Sequence, residues 1–238
     1  MRKYATEFIG TFFLVFTIVT TTLADRTLAP LAIGLVLAAM IFAGGHLSGA
    51  HYNPAVTVAV WLRGRLPGAE VLPYALAQAA GAITAAALGR LVAGQAPTSS
   101  FHAGGRHLVA AFVAELLVTF ALAYVVLNVA TSKDHPNNSF YGLAIGSVVV
   151  AGAVGVGGVS GGVFNPAVAL GVSAAGLVSW SMLWVYLVAN LAGGALAALA
   201  FRALNPADLE APRPVQELAG ETASRSLPMS GIKKTRTA

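Results

Sequence analysis

A nine-residue block, Ser48 to Val56, returns in matching form 112 residues later as Ser160 to Val168. Each copy contains the tripeptide Asn-Pro-Ala, which is Asn53, Pro54 and Ala55 in the first block and Asn165, Pro166 and Ala167 in the second. One such tripeptide is consistent with an ordinary capped turn, because Asn is a good helix N-cap and Pro suits the first helical turn. Two copies in register indicate that the chain contains an internal repeat.

Apolar stretches long enough to cross a bilayer surround the two blocks. Hydrophobic residues make up 57% of the chain and charged residues only 10%, whereas a soluble domain carries about 25% charge. A membrane helix needs about 20 mostly apolar residues. Six stretches qualify, at roughly 4–24, 28–45, 71–94, 107–130, 139–158 and 178–203. The blocks themselves lie in shorter apolar segments, near 48–62 and 160–174, which predict re-entrant half-helices that line a cavity.

The repeat predicts an all-α membrane protein with six transmembrane helices and two half-helices. Its copies cover about 4–94 and 107–204, and we expect one channel domain over 1–204. Because each copy has three spans, the second enters the membrane from the opposite side, and such inverted repeats place their site near the midplane. The first span could instead be a signal peptide, but Glu7 within its core and its role in the repeat favour a membrane helix.

Basic residues set the expected orientation and partners. The formal charge of +5 comes from residues between and after the apolar runs, such as Arg63 and Arg65, which favours membrane orientation over nucleic-acid binding. Their distribution predicts that both termini are cytoplasmic, in a cell (plasma or inner) membrane. Residues 205–238 are rich in Pro, Ala, Ser, Glu and Arg, and we expect a disordered cytoplasmic tail.

Metal, cofactor and enzyme chemistry is not expected. The chain has no cysteine, which excludes thiolate ligands and cysteine nucleophiles. His46 precedes the first block and His51 lies within it, with no carboxylate or cysteine partner in view, so they do not predict a metal site. The run from Gly155 to Gly158 is similar to a nucleotide-binding loop, but it lies at a span end without the strand and helix that such a loop requires.

The two Asn-Pro steps predict the start of two short helices. Inversion would bring these starts together near mid-membrane, with positive helix ends and Asn amide N–H groups directed into a lumen. This arrangement would orient water, interrupt a proton wire and repel cations. Glycine before each cap permits an extended backbone with its carbonyls outward. The predicted pore-lining residues are Gly49, Ala50, His51 and Gly161.

Glu7 and Glu115 lie within apolar spans, where a carboxylate is costly and usually has a function. They could accept hydrogen bonds from the re-entrant backbone, which is a structural role. Alternatively they could relay protons in a coupled transporter. No chain of His or Asp accompanies them in the sequence, which favours the structural interpretation.

These features resemble the aquaporin, or major intrinsic protein, family. The resemblance is carried by Glu7, Ser48 to Val56, Gln78, Glu115 and Ser160 to Ala167, and it extends from about residue 4 to 204. It implies a six-helix bundle with two half-helices, a homotetramer with one pore per protomer, and passive flux of water and small neutral solutes in both directions. No enzymatic activity is implied.

The resemblance also implies an outer constriction of four residues, which by position are Ile33, Ala153, Gly162 and Val168. The family usually has Arg where this chain has Val168. These four residues offer no side-chain donor, no charge and little bulk, so we expect a wide, apolar constriction that passes glycerol, urea, hydrogen peroxide or ammonia besides water. Two alternatives remain open, an ion-leaky pore that lacks the barrier of the Arg, and a non-conducting structural membrane protein.

Overall fold

The computed structural model describes residues 1–209, so the predicted tail lies almost entirely outside the described residues. Within this range the chain forms eight α-helices, α1 Arg2–Leu23, α2 Ala29–Ser48, α3 Pro54–Leu62, α4 Gly68–Ala93, α5 Arg106–Thr131, α6 Tyr141–Ser160, α7 Pro166–Ala174 and α8 Leu183–Leu204. Two short 3₁₀ turns, Trp180–Met182 and Pro206–Leu209, precede and follow α8.

Six of these helices are long and apolar enough to cross a membrane, which confirms the predicted spans. The other two, α3 and α7, have nine residues each. At a rise of about 1.5 Å per residue they reach roughly halfway across a hydrocarbon core. The observed bounds differ from the predicted ones by a few residues; α4, for example, begins at Gly68, directly after the extended N-cap residue Pro67.

The half-helices begin where the sequence predicts. Helices α2 and α6 end at left-handed glycines, Gly49 with φ 85° and Gly161 with φ 89°, a common way to stop a helix. A short non-helical segment follows each glycine. The Asn53 side chain then accepts from the Ala55 amide at 2.8 Å, and the equivalent cap on Asn165 starts α7.

The two halves of the repeat interlock. Helix α1 packs most extensively on α4, and α5 on α8, while α3 packs on α8 and α7 on α4. Each half-helix is therefore held by the opposite copy. The tight pairs depend on equivalent glycines, because a Cβ atom on Gly81 would lie 2.4 Å from the Phe8 carbonyl oxygen and one on Gly193 would lie 2.6 Å from that of Leu116.

The ends of the helices define two faces of the bundle. On the terminal face, where α1 begins and α8 ends, Lys3 forms an ion pair with Glu70 at 2.8 Å. On the opposite face, Gln95 donates a hydrogen bond to the Leu23 carbonyl oxygen. The loop after α4 crosses this opposite face, and its Phe101 amide donates to the Leu177 carbonyl oxygen at 2.8 Å.

Candidate functional site

The two Asn-Pro-Ala segments meet at the centre of the bundle. The amide nitrogen of Asn53 donates to the Phe164 carbonyl oxygen at 2.9 Å, and that of Asn165 donates to the Tyr52 carbonyl oxygen at 2.8 Å. The oxygen of each Asn side chain caps its own helix. Since a primary amide has two N–H groups, each Asn retains one for a solute beside it.

The two intramembrane glutamates bind the re-entrant backbone. Glu7 accepts from the amides of His51 at 2.9 Å and Tyr52 at 2.6 Å. Glu115 repeats this arrangement with Val163 at 2.9 Å and Phe164 at 2.6 Å. Both side chains are fully buried, and neither glutamate is among the residues that border the pore cavity. This geometry favours the structural interpretation over a proton relay.

The backbone at these contacts is strained. Tyr52 and Phe164 have φ values of 49° and 50°, a left-handed conformation that costs a non-glycine residue about 1–2 kcal/mol. The bonds to Glu7 and Glu115 stabilise this conformation. In each re-entrant segment two consecutive backbone amides therefore donate to the same glutamate. The backbone carbonyls of the segment do not take part in this contact.

Six carbonyl oxygens remain available to a solute. They belong to residues 49–51 and 161–163, and they accept no hydrogen bond from the described part of the chain. Five of these six residues, together with Asn53 and Asn165, border one cavity, and Gly49 is the exception. The segments therefore bring both acceptor and donor groups to the border of this cavity.

One cavity borders three of the four predicted pore-lining residues. Ala50, His51 and Gly161 border it, while Gly49 borders an adjoining cavity toward the terminal face. The four predicted constriction residues, Ile33, Ala153, Gly162 and Val168, all border the main cavity. Much of the remaining cavity border is aliphatic and includes Leu37, Ile41, Leu122, Val126, Ile145 and Val149.

Comparison with known proteins agrees with this geometry. The family model described as major intrinsic protein matches residues 1–201. The chain belongs to the major intrinsic protein family. This major intrinsic protein is a multi-pass integral membrane protein, as its six apolar helices also indicate.

Relatives of this major intrinsic protein include transporters with different names. It is 38% identical over 222 residues to a protein of Lactiplantibacillus plantarum named glycerol uptake facilitator protein-like 6, covering 87% of this chain and 100% of the relative. It is 36% identical over 229 residues to aquaporin Z of Bradyrhizobium diazoefficiens, covering 86% and 94%. The X-ray structure of the aquaglyceroporin from Plasmodium falciparum matches with a TM-score of 0.73 at 23% identity, over 87% and 98%, and this match supports the fold alone.

Sequence reasoning missed part of the network around Glu7. Thr57 lies 3.1 Å from the Gln78 amide nitrogen and 3.2 Å from the Nδ1 atom of His51, and Gln78 also donates to Glu7 at 2.8 Å. A signal was present in the repeat, because Thr57 and Gln78 correspond to Ala169 and Asn190 in the second copy. The surroundings of Glu7 in this major intrinsic protein are therefore more polar than the equivalent surroundings of Glu115.

A buried ion pair on the terminal face was also missed. Arg63, expected only to orient the chain, lies 3.4 Å from Asp208, with side chains that are 3% and 2% exposed. Arg63 also donates to the Thr131 side chain and carbonyl oxygen, both at 2.9 Å. Burial lowers the pKa of the Arg63 guanidinium below its ordinary value, although arginine stays charged in proteins.

Proposed function

We propose that this protein is a passive transmembrane channel for water and small uncharged solutes. Glycerol, urea, hydrogen peroxide and ammonia are the solutes that its constriction would admit. The path runs past Asn53 and Asn165 and through the wide apolar constriction at Ile33, Ala153, Gly162 and Val168. The relatives named as aquaporins and as a glycerol facilitator support transport rather than an enzymatic reaction.

One observation carries the proposal. The four constriction residues border a single cavity and bring no charge and no side-chain hydrogen-bond donor to it. Solutes there meet aliphatic groups on one side and the free carbonyls of Gly161 and Gly162 on the other. A small molecule that has a carbon skeleton and also hydroxyl or amine groups can contact the aliphatic groups and donate hydrogen bonds to the carbonyls at the same time.

The same proposal includes the setting of the channel. Residues 1–204 form the channel domain, and the terminal face is cytoplasmic, because most of the basic residues of the loops lie there. The membrane is the plasma or inner membrane. The functional unit is a homotetramer with one pore in each protomer, as the family resemblance implies.

Solute flux into liposomes tests the function directly. The purified protein is reconstituted, and stopped-flow light scattering follows vesicle volume under gradients of an impermeant osmolyte, urea or glycerol. Val168→Arg restores the residue that the family usually has, and Val168→Leu adds bulk without charge. We expect the parent to pass water, urea and glycerol. Val168→Arg should keep the water flux, while the urea and glycerol fluxes fall.

The outcomes separate the alternatives. If the parent passes water alone, the constriction is not broad. If Val168→Leu reduces glycerol flux as strongly as Val168→Arg, bulk rather than charge sets the limit. Ion conductance in planar bilayers would support the ion-leaky alternative, and a folded protein without any flux would support a structural role.

A further inference from the structure

Helix α6 presents one row of residues to the pore. Ile145, Val149, Ala153 and Gly157 all border the main cavity, and their four-residue spacing places them on one face of the helix. The side chains shrink steadily along this row, from a branched four-carbon group to a single hydrogen. The pore wall formed by α6 therefore recedes toward the opposite face of the bundle.

The equivalent row on α2 does not recede in the same way. Ile41 corresponds to Ala153 in the repeat, and Gly45 corresponds to Gly157. Tyr141 closes the space at Gly45, since a Cβ atom on Gly45 would lie 3.4 Å from the Tyr141 hydroxyl oxygen. The counterpart of Tyr141 is Ala29, which is too small to close the equivalent space. The two ends of the pore are therefore unequal, and the end near Gly157 is the more open one.

Gly157 lies directly beside the constriction. A Cβ atom on Gly162 would lie 3.3 Å from the Gly157 Cα atom and 3.7 Å from that of Ala153. A Cβ atom on Gly157 itself would meet nothing within 4 Å, so the space in front of it is open. Since Gly157 is on the face of α6 that borders the cavity, any side chain there would enter the solute path.

We propose that Gly157 is a specificity-determining residue of this channel, a fifth member of the constriction that sets its upper size limit. The inference rests on the proposed function and extends it. The missing side chain widens the passage beside Gly162, and the space it leaves admits the carbon skeleton of a three-carbon polyol. Water and urea need less of this space than glycerol.

Gly158 provides a matched control for Gly157. It is the next residue of α6, and a Cβ atom there would also meet nothing within 4 Å. It is exposed and does not border the cavity. Alanine at either position gives the helix the same gain in propensity, so only the effect on the lumen differs between the two variants.

The test compares Gly157→Ala and Gly157→Val with Gly158→Ala and Gly158→Val in the liposome assay. We expect Gly157→Ala to lower glycerol permeability about tenfold, as one added methyl group can in a close-fitting apolar site, while water permeability stays near that of the parent. Gly157→Val should lower water permeability as well. Both Gly158 variants should match the parent. Equal behaviour of the two positions would overturn the proposal.

Failure of the proposed function gives a different pattern. If the parent passes water but neither urea nor glycerol, the proposed broad solute range is wrong. The role of Gly157 is then tested by water permeability alone. Lower water flux in Gly157→Val than in Gly158→Val would retain Gly157 as part of the constriction. Equal water flux would reject it. Circular dichroism of each variant establishes that a lost flux is not a lost fold.

Discussion

A carboxylate oxygen of Glu7 lies 2.6 Å from the backbone nitrogen of Tyr52, although 45 residues separate them in sequence. The contact holds Tyr52 in a left-handed conformation, with φ 49°, at the centre of the helix bundle. The equivalent contact between Glu115 and Phe164 has the same distance. The symmetry is incomplete, however. Glu7 has a fourth donor in Gln78 at 2.8 Å, whereas the amide of the counterpart Asn190 lies beside Glu115 without a hydrogen bond of normal geometry in the described region.

Glu7→Gln should destabilise the protein more than Glu115→Gln. Glutamine has one acceptor oxygen and an NH₂ group in place of the second. The buried donors that face this NH₂ group lose their acceptor, and each unsatisfied donor costs about 1–3 kcal/mol of folding free energy. Glu7 serves four donors in the described structure and Glu115 serves three. Thermal unfolding in detergent micelles gives the order, with Glu70→Gln near the surface as a control. The reverse order would contradict this account of the two networks.

Asn53→Asp should raise the leak of protons and cations. Aspartate keeps the oxygen that caps α3 but loses the N–H group that binds the Phe164 carbonyl oxygen, and it adds a negative charge at the positive N-terminal end of α3. At an effective dielectric constant of about 20, a unit charge about 4 Å from an ion changes the energy of that ion by about 4 kcal/mol, so we expect the leak to rise about tenfold or more. A pH-sensitive dye inside liposomes measures the leak. Asn165→Asp should act similarly, and a leak unchanged in both variants would show that the Asn amides do not take part in ion exclusion.

Gly81→Ala should prevent close packing of α1 on α4. The added methyl group would meet the Phe8 carbonyl oxygen at 2.4 Å, and overpacking of this kind costs about 1–3 kcal/mol or more because backbone must move. Gly193→Ala, its counterpart in the repeat, should have a comparable effect. Gly158→Ala is the matched control without a close contact. If all three variants had the same unfolding midpoint, close packing of α1 on α4 and of α5 on α8 would not be important for stability.

Acid should weaken the terminal face through Asp208. Burial alone would raise the pKa of this carboxyl, but hydrogen bonds from the Lys133 amide and Ser132 and the charge of Arg63 hold the pKa below its usual range. Stability from a carboxyl with a depressed pKa is present above its unfolded value, about 3.9, and is lost as pH falls through the folded pKa. The parent should therefore lose stability below about pH 4.

Asp208→Asn tests this pair. At neutral pH it leaves Arg63 without its counter-ion, so we expect a loss of roughly 1 kcal/mol. The difference from the parent should shrink as pH falls toward 3, because the protonated parent then resembles the variant. Unfolding midpoints between pH 3 and 7 provide the measurement, and exposed Asp134→Asn is the control. A difference that stays constant with pH would rule out titration of Asp208 as the cause.

The sequence predicts the framework of this fold well, for reasons that concern particular residues. Six apolar runs of sufficient length have few alternatives to membrane helices. The Asn-Pro steps at Asn53 and Asn165 specify helix starts locally, and the register of the repeat pairs Glu7 with Glu115. These features depend on spacing along the chain, which a sequence displays directly.

Other contacts could not be predicted because they join distant segments. The sequence around Arg63 and the sequence around Asp208 both resemble a solvated helix end. Neither indicates that the two side chains are buried against each other. The glycine run from Gly155 to Gly158 gives no sign of which members face the pore. That distinction depends on how α6 is rotated in the bundle, and rotation is set by packing against α2 and α5.

The cross-bonds of Asn53 and Asn165 also have a consequence for biogenesis. Each bond joins groups more than 110 residues apart, and closing so large a loop carries an entropic cost that contacts made earlier must offset. During synthesis the Asn53 amide cannot bind the Phe164 carbonyl oxygen until the second re-entrant segment has been made. We therefore expect a chain interrupted before α7 to lack the contacts that join the two halves of the repeat at the centre of the bundle.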